Sequence, residues 1–199
     1  MEPEHWAEFD AVREAAYNGL RRGRYIEHAR SLPACQYLVL PAFENAVSWD
    51  VMRGVERGAH TEIRLWRSCW RMDQDARAFS SPMERLKHPR PYRPTVDVGW
   101  TLLDSSRIES IIACLRSIRV PLGVTNSHMG CDGVSYELSV GESFCNARIC
   151  WWCDLPDEWL ELGPIVADLV QLFELSWASR AQVAPATRCG GLKARDEAR

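Results

Sequence analysis

Lysine is nearly missing from this chain: of 24 basic residues only Lys87 and Lys193 are lysines, a bias that fits a GC-rich bacterial genome and carries no functional information. A long apolar run is missing as well. No stretch approaches the roughly 20 apolar residues that a membrane span requires. The opening MEPEHWAEFD holds acids and no apolar segment of the kind a secretion signal needs. Both absences point to a soluble, cytoplasmic protein. There is also no Walker-type phosphate loop, no Gly-x-Gly-x-x-Gly after a strand, no Gly-x-Ser-x-Gly elbow and no His-Glu-x-x-His. No catalytic residue is thus marked by motif.

What is present bounds the fold. At 199 residues and 46% hydrophobic, the chain is long enough for one well-buried core and short for two. Residues 1–184 read as a single domain. Beyond them "PATRCGGLKARDEAR" has little apolar content, so 185–199 reads as a disordered tail. Eight cysteines (Cys35, Cys69, Cys114, Cys131, Cys145, Cys150, Cys153 and Cys189) lie mostly in apolar segments of a chain without a secretion signal, so reduced core thiols are expected.

Hydrophobic spacing places the elements. Trp6, Phe9, Val12, Ala16, Tyr17 and Leu20 predict an amphipathic helix over 4–20. "CQYLVLPAF", "AVSWDVMRG" and "TEIRLWRSCWRM" read as three strands, the first as an edge or bulged strand because of Pro41. Ser81, Pro82 and Glu84 predict a short helix start, and Thr95–Leu103 another strand. Ser106 and Glu109 predict the cap of a helix whose apolar face is Ile108, Ile111, Ile112, Leu115 and Ile118. "DGVSYELSVGESFCNARICWWC" reads as a hairpin turning at Gly141-Glu142. A last helical element opens at "DLPDEW", with Trp159, Leu162, Val166, Leu169, Phe173 and Trp177 on one face and a kink or fresh start at Pro164. This order predicts an α+β fold, a mostly antiparallel sheet of about five or six strands packed on one face by helices.

Cys150-x-x-Cys153 raises redox and metal chemistry. A redox pair needs its first thiol at a helix N-terminus, whereas Cys150 belongs to a predicted strand. His128-x-x-Cys131 followed by Cys150-x-x-Cys153 has the ligand spacing of a four-ligand zinc site, yet bulky Trp151 and Trp152 favour a plain strand. Asp73 and Asp75, with Asp50, His60 and Glu62, are a second metal candidate, weighed against salt bridges to Arg67, Arg71 and Arg77. No signature pairs a thiol with His5, His28, His60, His88 or His128. Arg21, Arg22, Arg24, Arg30 and "RLWRSCWR" suggest nucleic-acid contact, but the acidic balance opposes it. The expectation is no catalytic residue, no cofactor and no metal; the zinc or metal-dependent enzyme is the alternative.

The clearest signal is the placement of charge. The net −3 conceals a segment, 120–179, with nine acids against the single base Arg148. Inward apolar positions leave Glu137, Glu142, Asp154, Asp157, Glu158, Glu161, Asp168 and Glu174 as an outward acidic surface, the first three after Glu142 being explicable by a helix dipole. A one-signed surface speeds encounter with a basic protein and disfavours nucleic acid and anionic membrane. "DGVSYEL" and "WWCDLPDEWLELGPIVADL" together resemble a pattern of small bacterial proteins, Asp-Gly before a strand, then Trp-Trp, Pro, Trp and Leu into a terminal helix. That resemblance implies an immunity-like protein, some relatives being encoded beside toxin or mobile-element genes, with no catalytic residue to carry over. The expected role is binding and neutralising a basic toxin domain; the oligomeric state stays open.

Overall fold

The computed structural model describes residues 3–23, 26, 33–54, 62–80, 83, 92–121, 132–142, 145–179 and 187–188. Its organising element is β1 (Cys35–Pro41), a run apolar on both faces: Cys35 and Tyr37 turn one way, Leu38 and Leu40 the other, and all four are buried. A strand apolar on both faces has to be covered on both. It lies inside the sheet, between β2 (Val47–Arg53) and β5 (Val134–Glu142). β3 (Ile63–Trp70) and β4 (Val96–Leu102) extend the sheet beyond β2, and β6 (Cys145–Trp152) extends it beyond β5. Every pairing is antiparallel, and a two-residue β7 (Thr187–Arg188) adds to β4. The chain is an α+β domain as the element order predicts.

Helices cover both faces of the sheet, which corrects the expectation of one. On the Tyr37 face lie α3 (Ser105–Ser117) and α4 (Leu162–Ser179), and Ile108, Ile112, Leu169 and Phe173 pack with Val51, Leu65 and Leu138. On the Leu38 face lie α1 (Pro3–Arg21) and α2 (Met72–Ser80), with Phe9, Val12, Ala16, Leu20 and Phe79 against Leu38, Trp70 and Val98. Burying any one of these large side chains contributes about 1.5–3 kcal/mol. Among the described residues no helix is long and apolar enough to cross a membrane.

Several boundaries move, each for a local reason. Pro41 does not mark an edge. The ladder turns the even residues of β1 toward β5, as Gly141 N to Ala34 O (3.2 Å) and Ala42 N to Gly133 O (2.9 Å) show. The missing amide of Pro41 therefore faces β2, whose pairing reaches only Val39 with Val47. The Pro41 carbonyl accepts from Tyr17 Oη at 3.0 Å. A helix that the spacing does not predict, α2, starts at Met72 and makes Asp73 and Asp75 first-turn acids; the expected helix start at Ser81, Pro82 and Glu84 lies outside the described residues, and Met83 beside it is helical. The cap of α3 is Asp104, not Ser106: its Oδ1 accepts from Arg107 N at 3.0 Å, which lowers the pKa of its carboxyl. The β5–β6 hairpin runs past Gly141 to pair Glu142 with Cys145. Pro164 falls in the first turn of α4, where its absent amide removes no intrahelical bond. Thr187 and Arg188, expected in the tail, pair with Val98 and Asp97.

Candidate functional site

The acidic segment leaves β6 at a sharp turn. Cys153 adopts φ 53, and its amide still donates to Val134 O at 2.8 Å. The turn is tight against Gly133: a Cβ there would stand 2.6 Å from the Trp152 ring and 2.7 Å from Cys153 Sγ. Gly133 before β5 and Trp152 at the end of β6 thus pack directly on each other, and glycine is required at 133 for that approach.

From Cys153 to α4 the chain is pinned by apolar side chains. Leu155 packs against the core; Trp159 is buried in a 3-10 turn (Asp157–Trp159), donating from Nε1 to Pro121 O at 3.1 Å; Leu162 is buried. With those three inward, Asp154, Asp157, Glu158 and Glu161 turn to solvent, and Leu160 goes with them, 61% exposed. Because α4 begins at Leu162, Asp154, Asp157 and Glu158 lie outside its first turn, and its dipole does not account for them. Asp168 and Glu174 are exposed farther along α4. Residues 149–179 contain no lysine or arginine. Among the described residues none of these six acids is in an ion pair.

Glu137 is the correction. The sequence pattern puts it outside, but it is 2% exposed on the α1 face of the sheet. Arg21 reaches its Oε1 through Nε at 2.8 Å and Nη2 at 2.6 Å, and Arg148 Nη2 takes Oε2. An ionised carboxylate leaves water only with such partners. Glu137 alternates with the apolar Tyr136 and Leu138, so on a one-faced sheet it would point outward; helices on both faces put it beneath α1. The side chain of Glu142 lies outside the described residues. Nor is the field along α4 unopposed. Arg107 Nη2 of α3 donates to Gln171 Oε1 at 3.4 Å, between Asp168 and Glu174 on the next turns, so the undiluted charge is the Asp154–Glu161 connector.

The metal candidates do not converge. Asp73 pairs with Arg71 at 3.2 Å, which lowers the pKa of its carboxyl. Asp75 is buried and fully engaged: Oδ2 accepts from Trp70 Nε1 (2.6 Å) and Thr95 N (3.0 Å), Oδ1 from Thr95 Oγ1 (2.7 Å). Asp50 is buried between Gln36 and Ser48, and Glu62 pairs with Arg64 at 3.0 Å. His60, His128 and Cys131 lie outside the described residues. Cys150 and Cys153 are exposed free thiols rather than core thiols, as is Cys114, whereas Cys35 and Cys69 are buried. Among the described residues no three His, Cys, Asp or Glu gather closely enough to hold a metal ion. The "RLWRSCWR" alternation divides Trp66 and Trp70 from Arg67, whose guanidinium lies 5.3 Å from both the Trp49 and Trp177 rings on the opposite face.

Sequence reasoning missed two features of this region. One is Leu160, an apolar tip among carboxylates, legible only once Leu155 and Trp159 are known to be the anchors. The other is the outer edge of β6, which no described strand covers. No protein family, no curated protein and no solved structure matches the chain.

Proposed function

We propose that the chain is a non-catalytic binding protein for a basic protein partner, most concretely an immunity protein that covers the basic cleft of a toxin domain. The observation that carries this reading is the connector, where four exposed carboxylates, unpaired among the described residues, flank an exposed leucine along a stretch of chain without a base. Arg21 and Arg148 are already committed to Glu137 and do not quench it. A toxin cleft that binds phosphates is basic, and carboxylates can occupy the phosphate positions. Leu160 would supply the desolvated apolar contact that holds such complexes after charge has steered them together.

The test uses the product of the adjacent reading frame, purified with its active site disabled. The complex should form in about 0.05 M salt and weaken more than tenfold in about 0.5 M salt. Replacing Asp154, Asp157, Glu158 and Glu161 together with arginine should abolish it while the thermal midpoint stays within a few degrees. Undiminished binding by that variant would end the reading.

A further inference from the structure

The backbone of β6 fixes which of its groups are free. Cys153 N bonds Val134 O in register with the β5–β6 ladder, so Trp151, Ile149 and Ala147 bond to β5. Asn146, Arg148, Cys150 and Trp152 therefore turn their amides and carbonyls outward, and no described strand receives them. An open edge of eight residues invites another strand, and natural sheets ordinarily shorten, bulge or cover such edges. The two ends of this edge differ. Beside its start lies a groove of about 630 Å³ lined by Leu115, Arg116, Ile118, Val140, Asn146 and Ala147. At its finish the chain runs directly into Asp154, Asp157, Glu158 and Glu161.

We infer that the basic partner binds by adding an extended segment to the outer edge of β6. The added strand makes main-chain hydrogen bonds to Asn146, Arg148, Cys150 and Trp152. It lays an apolar side chain in the groove by Ala147 and sets lysine or arginine against the connector carboxylates. Charge complementarity names the occupant: a second copy of this chain would bring a second connector, while a basic segment neutralises the one present. Affinity in such augmentation comes from the main chain and specificity from the alternate side chains. The inference rests on the basic-partner reading and deepens it.

The probe is a fluorescent nine-residue peptide of alternating lysine and valine, compared by anisotropy with a peptoid bearing the same side chains and no amide hydrogens. The native chain should bind the peptide at least tenfold more tightly than the peptoid. Cys150→Pro removes one outward amide and leaves the β5 ladder intact, so it should cost at least tenfold in peptide affinity with the fold retained by circular dichroism. Should that variant misfold, the peptide-to-peptoid ratio on the native chain still decides. Equal binding of the two probes, or no peptide binding at about 1 mM, overturns strand addition. In the first case, loss of binding in Asp154→Lys/Asp157→Lys/Glu158→Lys leaves the basic-partner reading standing; unchanged peptide binding in that variant removes the reading itself. A native dimer in sedimentation that Cys150→Pro converts to monomer would assign the edge to a second copy and overturn the inference.

Discussion

The two faces of this sheet solve burial by different chemistry. Under α3 and α4 the buried side chains are apolar: Leu65, Val51, Ile112, Leu169 and Phe173 belong to one continuous apolar cluster. Among the described residues, all seven buried polar or charged side chains, Gln36, Ser48, Asp50, Ser68, Asp75, Glu137 and Ser139, belong to the other side, beneath or within α1 and α2. There Gln36 Nε2 donates to Asp50 Oδ1 (2.6 Å) and to the Leu20 carbonyl (3.1 Å), tying the end of α1 to the strands. The cation partners differ as well: Glu137 beneath α1 is held by Arg21 and Arg148, whereas on the apolar face Arg67 lies 5.3 Å from the Trp49 and Trp177 rings and an ion pair of that face, Arg53 with Glu109, is at its rim. Buried directional bonds fix where α1 sits; α4 rests on apolar packing, with the Arg107–Gln171 and Thr101–Ser176 hydrogen bonds at its margin. The first arrangement should respond to pH and the second should not.

The largest expected effect is on the apolar side. Phe173→Ala leaves a cavity under Trp49 and should cost about 3–5 kcal/mol in urea unfolding, the same at pH 5 and pH 7. A pH-dependent loss would break the contrast. Next, Arg21→Ala/Arg148→Ala strips buried Glu137 of both cations and should cost about 3 kcal/mol near neutrality. Without partners the Glu137 carboxyl titrates higher in the folded chain than in the unfolded one, so lowering the pH through that range should recover much of the loss. A deficit that stays constant from about pH 7 to pH 4 would show that the arginines act by packing alone.

Asp50 sharpens the comparison further. Burial pushes its carboxyl from 3.8 up to about 6, against the lowering effect of the Ser48 and Gln36 hydrogen bonds. Between those values the folded chain keeps a proton that the unfolded chain has released. Stability is therefore lost as pH rises through that window, by up to about 3 kcal/mol. Asp50→Asn cannot ionise, so its stability relative to the native chain should improve by about 2–3 kcal/mol between pH 4 and pH 7, read from paired urea curves. A constant difference would show that Asp50 does not titrate in that range. The smallest effect is Arg67→Ala, about 1 kcal/mol and insensitive to salt, because the rings rather than an acid hold the guanidinium; a strong salt dependence would reveal an anionic partner.

Element order, the hairpin and both late helices were legible because their apolar spacing is regular: Ile108, Ile111, Ile112 and Leu115, then Val166, Leu169 and Phe173, are buried as the periodicity requires. The two-faced sheet was written in "CQYLVLP", but Pro41 drew the reading toward an edge. The helix over Met72–Ser80 was not legible because Trp70, Arg71 and Met72 extend the strand pattern, while the helical signal of Asp73 and Asp75 reads equally as metal ligation. At the candidate site, exposure of Asp154, Asp157, Glu158 and Glu161 followed from the pattern of 153–162. Glu137 could not be placed from local pattern, since its partners Arg21 and Arg148 lie 116 and 11 residues away.

The central position of β1 has a kinetic consequence. Its β2 neighbour follows within a few residues, but β5 emerges from a ribosome only about a hundred residues later, roughly 5–20 s at typical elongation rates. Throughout that interval a long, apolar strand keeps one side uncovered in a nascent polypeptide. During synthesis that edge therefore stays open to wrong pairing for an interval that refolding of the finished chain does not impose.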